Sequence, residues 1–322
     1  LLSILFKMVS KVKYYKNFNI QKKHKNSILL IGNFDGVHLG HQKLFKKALI
    51  LKKRKKYKIG VVTFDPIPKM FFFKKIKNYR ISNLNQKLEI LRNFEVDFVV
   101  NKKFDLKFSK IDCNKFIDNF LYKKLSAKLI FVSNNFRFGH KREGDVKLLK
   151  SLEKKYNYKI VNPSPLKKKE KIISSTLIRN LLETGQVSLA NKHLGRNWSI
   201  QGVVKLGRRI GKTIGFPTCN IDIENYVIAK PGVYAVKIFI NKTKKNLKGI
   251  ANLGFRPTFN QKKILLEVNI FNFKRNLYNK QLTVEFLNFI RGEKKFKSIE
   301  ELKKQIKKDV KQAKNFKWAK IR

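Results

Sequence analysis

Gly32-Asn33-Phe34-Asp35-Gly36-Val37-His38-Leu39-Gly40-His41 decides how the first half of this 322-residue chain is read. An apolar run, Ser27–Ile31, leads into it, and a helix-like stretch, His41–Lys56, leads out. The pattern is strand, glycine-rich turn, helix. Gly32, Gly36 and Gly40 permit tight turns and close approach of a ligand to the backbone. Unpaired N–H groups at the start of the following helix suit phosphate oxygens. His38 and His41 stand three apart and share one helix face. Two of only five histidines thus aim into one phosphate cradle. A His-x-x-His zinc pair is the alternative, but no third ligand of suitable spacing accompanies it.

Outward from this motif the alternation continues. Apolar runs at Lys58–Thr63, Asp97–Val100, Lys128–Val132 and Tyr158–Val161 predict further strands. Helical patterns near Asn83–Phe94, Cys113–Leu125 and Asp145–Lys155 lie between them. Strands and helices in turn predict right-handed crossovers and a parallel sheet, with ligands at the carboxyl ends of the strands. Three segments fall at such ends or at a helix start. They are Thr63–Pro68 (TFDPIP), Asn134–His140 (NNFRFGH) and Ile173–Arg179 (ISSTLIR). In the last, Ser174, Ser175 and Thr176 can cap a helix, and with Arg179 one turn in they can clamp phosphates.

The texture changes near Gly185–Trp198. Short β-rich runs follow at Ser199–Lys205, Gly232–Ile240, Asn246–Asn252, Ile264–Ile270 and Gln281–Ile290. Their spacing predicts an antiparallel barrel or sandwich. A last helix near Ser298–Phe316 starts with the capping box Ser298…Glu301. Gly207–Gly215 is a basic, glycine-rich loop without P-loop spacing. It runs into Phe216-Pro217-Thr218-Cys219-Asn220, where a hydroxyl and an amide two apart project to one side of an extended chain. Such hard oxygen donors suit Mg²⁺ and phosphate. The whole therefore reads as two domains of different class, the first α/β, the second a β-barrel with a terminal helix.

Composition narrows the function. Lys and Arg number 75 against 21 Asp and Glu, a net charge of +54. The excess is spread over both halves, and only 13 of the 75 are Arg, the side chain best suited to phosphate and base recognition. A sequence-wide bias toward Lys, Asn, Ile and Phe explains this better than a nucleic-acid surface. Two cysteines, Cys113 and Cys219, form no CxxC pattern, which predicts neither a disulfide framework nor a zinc site and points to the cytoplasm. Apolar runs such as Leu1–Phe6 are too short to span a bilayer, and no basic region or cleavage site marks a signal peptide.

GNFDGVHLGH, FRFG with Gly144-Asp145 downstream, and ISSTLIR resemble the bacterial bifunctional riboflavin kinase/FMN adenylyltransferases, the FAD synthetases of prokaryotes. In the second half, PTCN (Pro217–Asn220) resembles the Pro-Thr-Ala-Asn signature of the riboflavin kinases. Pro231–Tyr234, Asn252–Thr258, Leu277–Asn279 and Arg291–Phe296 fit the same family in order.

The resemblance implies a Rossmann-like α/β nucleotidyltransferase domain with a parallel sheet over residues 1–185. A small antiparallel β-barrel riboflavin kinase domain with a C-terminal helix would occupy residues 186–322. It implies phosphorylation of riboflavin to FMN, then transfer of the ATP adenylyl group to FMN. His38 and His41 would stabilise charge on the phosphates. Gly32, Asn33, Phe34, Asp35, Gly36, Gly40, Ser174, Ser175, Thr176 and Arg179 would hold ATP. Asn135, Phe136 and Phe138 would hold the flavin. In the kinase, Glu267 would be the catalytic base and Thr218 and Asn220 would hold Mg²⁺. Gly207, Gly211, Lys212, Gly215, Pro217, Asn252, Arg256 and Arg291 would bind ATP or flavin. Two positions depart from the family: Ile67 stands where it often has His, and Asn135 where many members have Asp. The implied partners are riboflavin, FMN and ATP, with Mg²⁺ as cofactor. No specific nucleic acid or membrane is expected, and the chain is expected to be a monomer or a weak homo-oligomer.

Overall fold

The structure, a computed structural model, describes residues 12–168, 170–207, 210–241, 243, 245–257 and 262–316. The run Leu1–Phe6, Arg208, Arg209 and Thr258 lie outside the described residues.

The strands of the first unit are β1 (Lys13–Tyr15), β2 (Ile28–Ile31), β3 (Ile59–Asp65), β4 (Phe98–Lys103), β5 (Leu129–Phe131) and β6 (Lys159–Val161), with apolar runs in all but β1. They pair in the order β1-β4-β3-β2-β5-β6, every pair parallel. Alternate side chains of a strand go to opposite faces. Leu29 and Ile31 accordingly join a core with Val62, Val100 and Ile130, whereas Ile28 and Leu30 join another with Val61, Val99 and Phe131. Both faces are buried, as in parallel sheets covered by crossover helices. Helix Leu39–Lys55 packs Phe45 and Ala48 into the second of these cores. The predicted strands are all present; β1 joins them at the sheet edge.

A two-stranded hairpin, β7 (Lys167–Lys168) and β8 (Lys171–Ile172), follows. The second unit then contains β9 (Trp198–Lys205), β10 (Cys219–Asp222), β11 (Gly232–Ile240), β12 (Asn246–Pro257), β13 (Lys262–Ile270) and β14 (Gln281–Gly292). These close a barrel in the order β10-β13-β12-β11-β14-β9, with β9 antiparallel to β10. Closure leaves no unpaired sheet edge. Its interior holds Trp198, Ile221, Tyr234, Leu253, Leu266, Val268 and Phe286. Helix Ile299–Lys314 lays Ala313 over Val233, Ala235 and Ile250.

By packing, the chain divides between the units at Ile173/Ser174, and Asn78–Asn83 counts with the barrel. Apolar packing explains both assignments. Ile178, Leu181 and Leu182 of helix Ser175–Glu183 belong to the barrel core, as does Ile81, which is 1% exposed. Trp198 Nε1 donates to the Ile81 carbonyl at 3.0 Å.

Candidate active sites

In the first unit the strand order reverses at β2. Neighbours to one side are β3, β4 and β1; to the other, β5 and β6. Ligands of open parallel sheets sit outside the carboxyl ends at such a switch point. Gly32–His41 leaves β2 there, and Ser133–Gly139 leaves β5.

Phe34 at φ 46° and Gly36 at φ 74° turn the chain into a short 3₁₀ turn, Asp35–Val37. His38 then caps helix Leu39–Lys55: its Nδ1 accepts from the His41 N–H at 3.4 Å. The His38 and His41 rings stack, centroids 3.7 Å apart and planes 22° apart. Gly40 makes this possible, since a Cβ there would come within 3.0 Å of His38 Nδ1 and 3.1 Å of the Ile173 carbonyl. Phe34 is buried and meets His41 edge-on at 5.1 Å. The two predicted histidines are thus brought together at the helix start.

Sequence reading missed Lys87, on helix Leu84–Arg92. It is 4% exposed, and its Nζ donates to the Asn33 carbonyl at 2.7 Å and to Thr63 Oγ1 at 3.2 Å. Thr63 Oγ1 also donates to the Asn33 carbonyl, at 3.2 Å. A lysine on a charged helix reads as solvated; only the fold reveals its burial. Ile67, in the position of the family's His, is 4% exposed.

Beyond β5, Asn135 is exposed and accepts from Ser133 Oγ at 3.0 Å. Phe136 and Phe138 stack at 5.5 Å. Phe138 and Gly144 exchange backbone hydrogen bonds of 3.0 and 2.9 Å, which fixes this loop. Asp145 caps the next helix. The Leu148 N–H holds its carboxyl below the usual range, with help from Arg137.

In the second unit, Ser174 caps helix Ser175–Glu183 by accepting from the Leu177 N–H at 3.2 Å. Ser175 and Thr176 occupy its first turn. Arg179 is 6% exposed; its Nε donates to the Tyr79 carbonyl at 2.8 Å, and its guanidinium lies 3.6 Å from the Tyr79 ring centre.

The barrel lines up three predicted residues across neighbouring strands. Asn220 on β10 pairs with Glu267 on β13, and Glu267 pairs with Asn252 on β12. Directly paired residues project to one face. Leu266 and Val268 fill the core, so Glu267 faces outward with both asparagines. Gly207 lies against Asn220, where any larger residue would strike the amide. The Phe216 N–H donates to the Gly211 carbonyl at 2.7 Å, which closes the Gly211–Gly215 loop beside Pro217 and Thr218. Lys212 lies in helix Ile210–Thr213, and Arg256 is on β12. Thr218 is exposed. Asn220 is buried, yet its Oδ1 has no hydrogen-bond partner among the described residues. An orphaned buried amide oxygen, with a hydroxyl two residues before it in the chain, is a donor set that fits Mg²⁺. Arg291 is placed differently from this row: its Nε and Nη2 bind Asp309 on the terminal helix, and its Nη1 donates to the Gly292 carbonyl.

Among the described residues no helix is long and apolar enough to cross a membrane. Comparison with known proteins finds relatives of both halves of the chain. The FAD synthetase family model matches residues 20–177, and the riboflavin kinase family model matches residues 194–317. A bifunctional riboflavin kinase/FMN adenylyltransferase of Buchnera aphidicola (subsp. Schizaphis graminum) is 40% identical over 303 residues, 92% of this chain and 96% of the relative. That of Escherichia coli K12 is 35% identical over 296 residues, 92% of this chain and 94% of the relative. A crystal structure described as a macrolide-efflux protein from Streptococcus pneumoniae superposes with a TM-score of 0.83 at 27% identity, covering 96% of this chain and all of the other.

Proposed function

The chain belongs to the bifunctional riboflavin kinase/FMN adenylyltransferase family, and from that premise we propose how its residues divide the work. It makes flavin nucleotides: ATP phosphorylates riboflavin to FMN, and a second ATP adenylylates FMN to FAD. In our reading, residues 1–185 carry the adenylyl transfer and residues 186–322 the kinase.

The row Asn220–Glu267–Asn252 carries the kinase assignment. Glu267 accepts the proton of the ribityl 5′-hydroxyl as that oxygen attacks the γ-phosphate of ATP, the bond from the γ-phosphorus to the bridging oxygen breaks and ADP leaves. Thr218 and Asn220 hold Mg²⁺, which when bound neutralises charge on the phosphates. The Gly207–Gly215 loop, with Lys212 and Pro217, covers the nucleotide, and Asn252 and Arg256 complete the pocket. We assign Arg291 the task of seating the terminal helix.

In adenylyl transfer an FMN phosphate oxygen attacks the α-phosphate of ATP and pyrophosphate leaves. His38, His41 and the Gly32–Gly40 backbone stabilise the charge that develops; positioned donors suffice, without a covalent intermediate. Ser174, Ser175, Thr176 and Arg179 hold the triphosphate. Asn135, Phe136 and Phe138 hold the flavin. The chain works in the cytoplasm as a monomer or weak homo-oligomer, without a specific nucleic-acid or membrane partner. Incubation with riboflavin, ATP and Mg²⁺, followed by chromatography, tests the division: FMN and FAD together support it, and FMN alone overturns the adenylyl-transfer half.

A further inference from the structure

The buried ammonium of Lys87 lies against the loop that carries His38 and His41, without being one of its motif residues. Two donors, Lys87 Nζ at 2.7 Å and Thr63 Oγ1 at 3.2 Å, converge on a single carbonyl, that of Asn33. A trans peptide is planar, so its C=O and N–H point in opposite directions. Drawing the Asn33 oxygen toward Lys87 and Thr63 turns the Phe34 N–H the other way. That N–H takes no partner among the described residues. Phe34 itself sits at φ 46°, in the left-handed region, where a non-glycine residue persists only if its surroundings impose the conformation. Two hydrogen bonds on the preceding carbonyl, one from an ammonium, supply that constraint.

We propose that Lys87 is a positioning residue for adenylyl transfer: it locks the Asn33–Phe34 peptide so that the Phe34 N–H is presented to a phosphate oxygen of the nucleotide. The inference rests on the reading of the first unit as the adenylyltransferase. Lys87 itself touches no substrate. Its contribution is the orientation of one backbone dipole and a fixed positive charge behind the loop, in place before the nucleotide arrives.

The test compares full-length Lys87→Met and Lys87→Arg with the wild type in two assays on each preparation, FAD formation from FMN and ATP, and riboflavin phosphorylation. A misplaced donor costs up to roughly 10²-fold in turnover. Lys87→Met should lose about that much kcat for FAD formation, hold its KM for FMN and keep the kinase rate. Lys87→Arg, whose guanidinium can still donate to the Asn33 carbonyl, should recover part of the loss. If Lys87→Met does not fold, Thr63→Val removes the other donor and should lower the same kcat. Folded variants with wild-type turnover would overturn the proposal. So would a loss confined to the melting midpoint with turnover of the folded protein intact. Absence of FAD formation by the wild type would instead strike the functional reading beneath it.

Discussion

Arg291 of β14 grips Asp309 of the terminal helix through Nε and Nη2 at 2.8–3.0 Å, and Gln305 donates to the same carboxylate at 2.8 Å. Asp309 is 3% exposed. Removing one partner of a buried pair leaves the other uncompensated, typically at a cost of about 3–5 kcal/mol. Asp309→Ala should therefore destabilise the barrel unit near the lower end of that range, since Arg291 retains some solvent contact. Urea unfolding checks it; a change under about 0.5 kcal/mol, the usual size at an ordinary surface site, would show that the pair holds nothing.

The stacked pair His38–His41 gives the second expectation. His38→Ala or His41→Ala should slow FMN-to-FAD conversion by on the order of 10²–10³, the usual loss for one transition-state donor. Riboflavin phosphorylation by the same preparation should be unchanged. Normal adenylylation in both variants would remove these histidines from the chemistry and leave His38 only its part in capping the helix.

The packing of helix Ser175–Glu183 on the barrel core makes a stability forecast. A fragment beginning at Gln186 lacks Ile178, Leu181 and Leu182, all buried in the barrel core. Each such side chain is worth about 1.5–3 kcal/mol when fully buried. A fragment of residues 174–322 should melt well above one of residues 186–322. Equal midpoints would show that helix Ser175–Glu183 adds nothing to the barrel.

Burial pushes the Glu285 carboxyl above its usual range, against the opposing pull of Asn197, which donates to it at 2.8 Å, and of Lys237 and Arg196. The folded state thus holds this proton more tightly than the unfolded chain does. Stability from this group is present below the unfolded value and is lost as pH rises through the folded one. Glu285→Gln should raise the melting midpoint at pH 7, and the gain should vanish near pH 4. A gain independent of pH would assign it to another cause.

Much of this was legible in the chain itself, for identifiable reasons. The glycine turn at Gly32–His41 and the apolar runs around it carry strong periodic signals, and the strands they predict are present. β10 was not foreseen because it has only four residues and starts directly after Pro217-Thr218. β1 escaped because its residues alternate only weakly between polar and apolar. Ile81 and Lys87 were invisible for a different reason. Their roles depend on contacts with residues distant in sequence, Trp198 for one and Asn33 for the other. The capping box at Ser298 formed with a variation: Ser298 Oγ accepts from the Glu301 N–H at 3.1 Å, while Glu301 accepts from Lys297 instead of reaching the Ser298 N–H.

The most direct measurement of the two-site account is a pair of rates on Glu267→Gln. Gln keeps the size and hydrogen-bonding reach of Glu but cannot take a proton as a carboxylate does. Riboflavin phosphorylation should fall by roughly 10²–10⁴, the usual worth of positioned proton transfer. FAD formation from supplied FMN should persist, because His38 and His41 lie in the other unit. A folded variant that phosphorylates riboflavin at the wild-type rate would contradict the account and remove Glu267 from the chemistry.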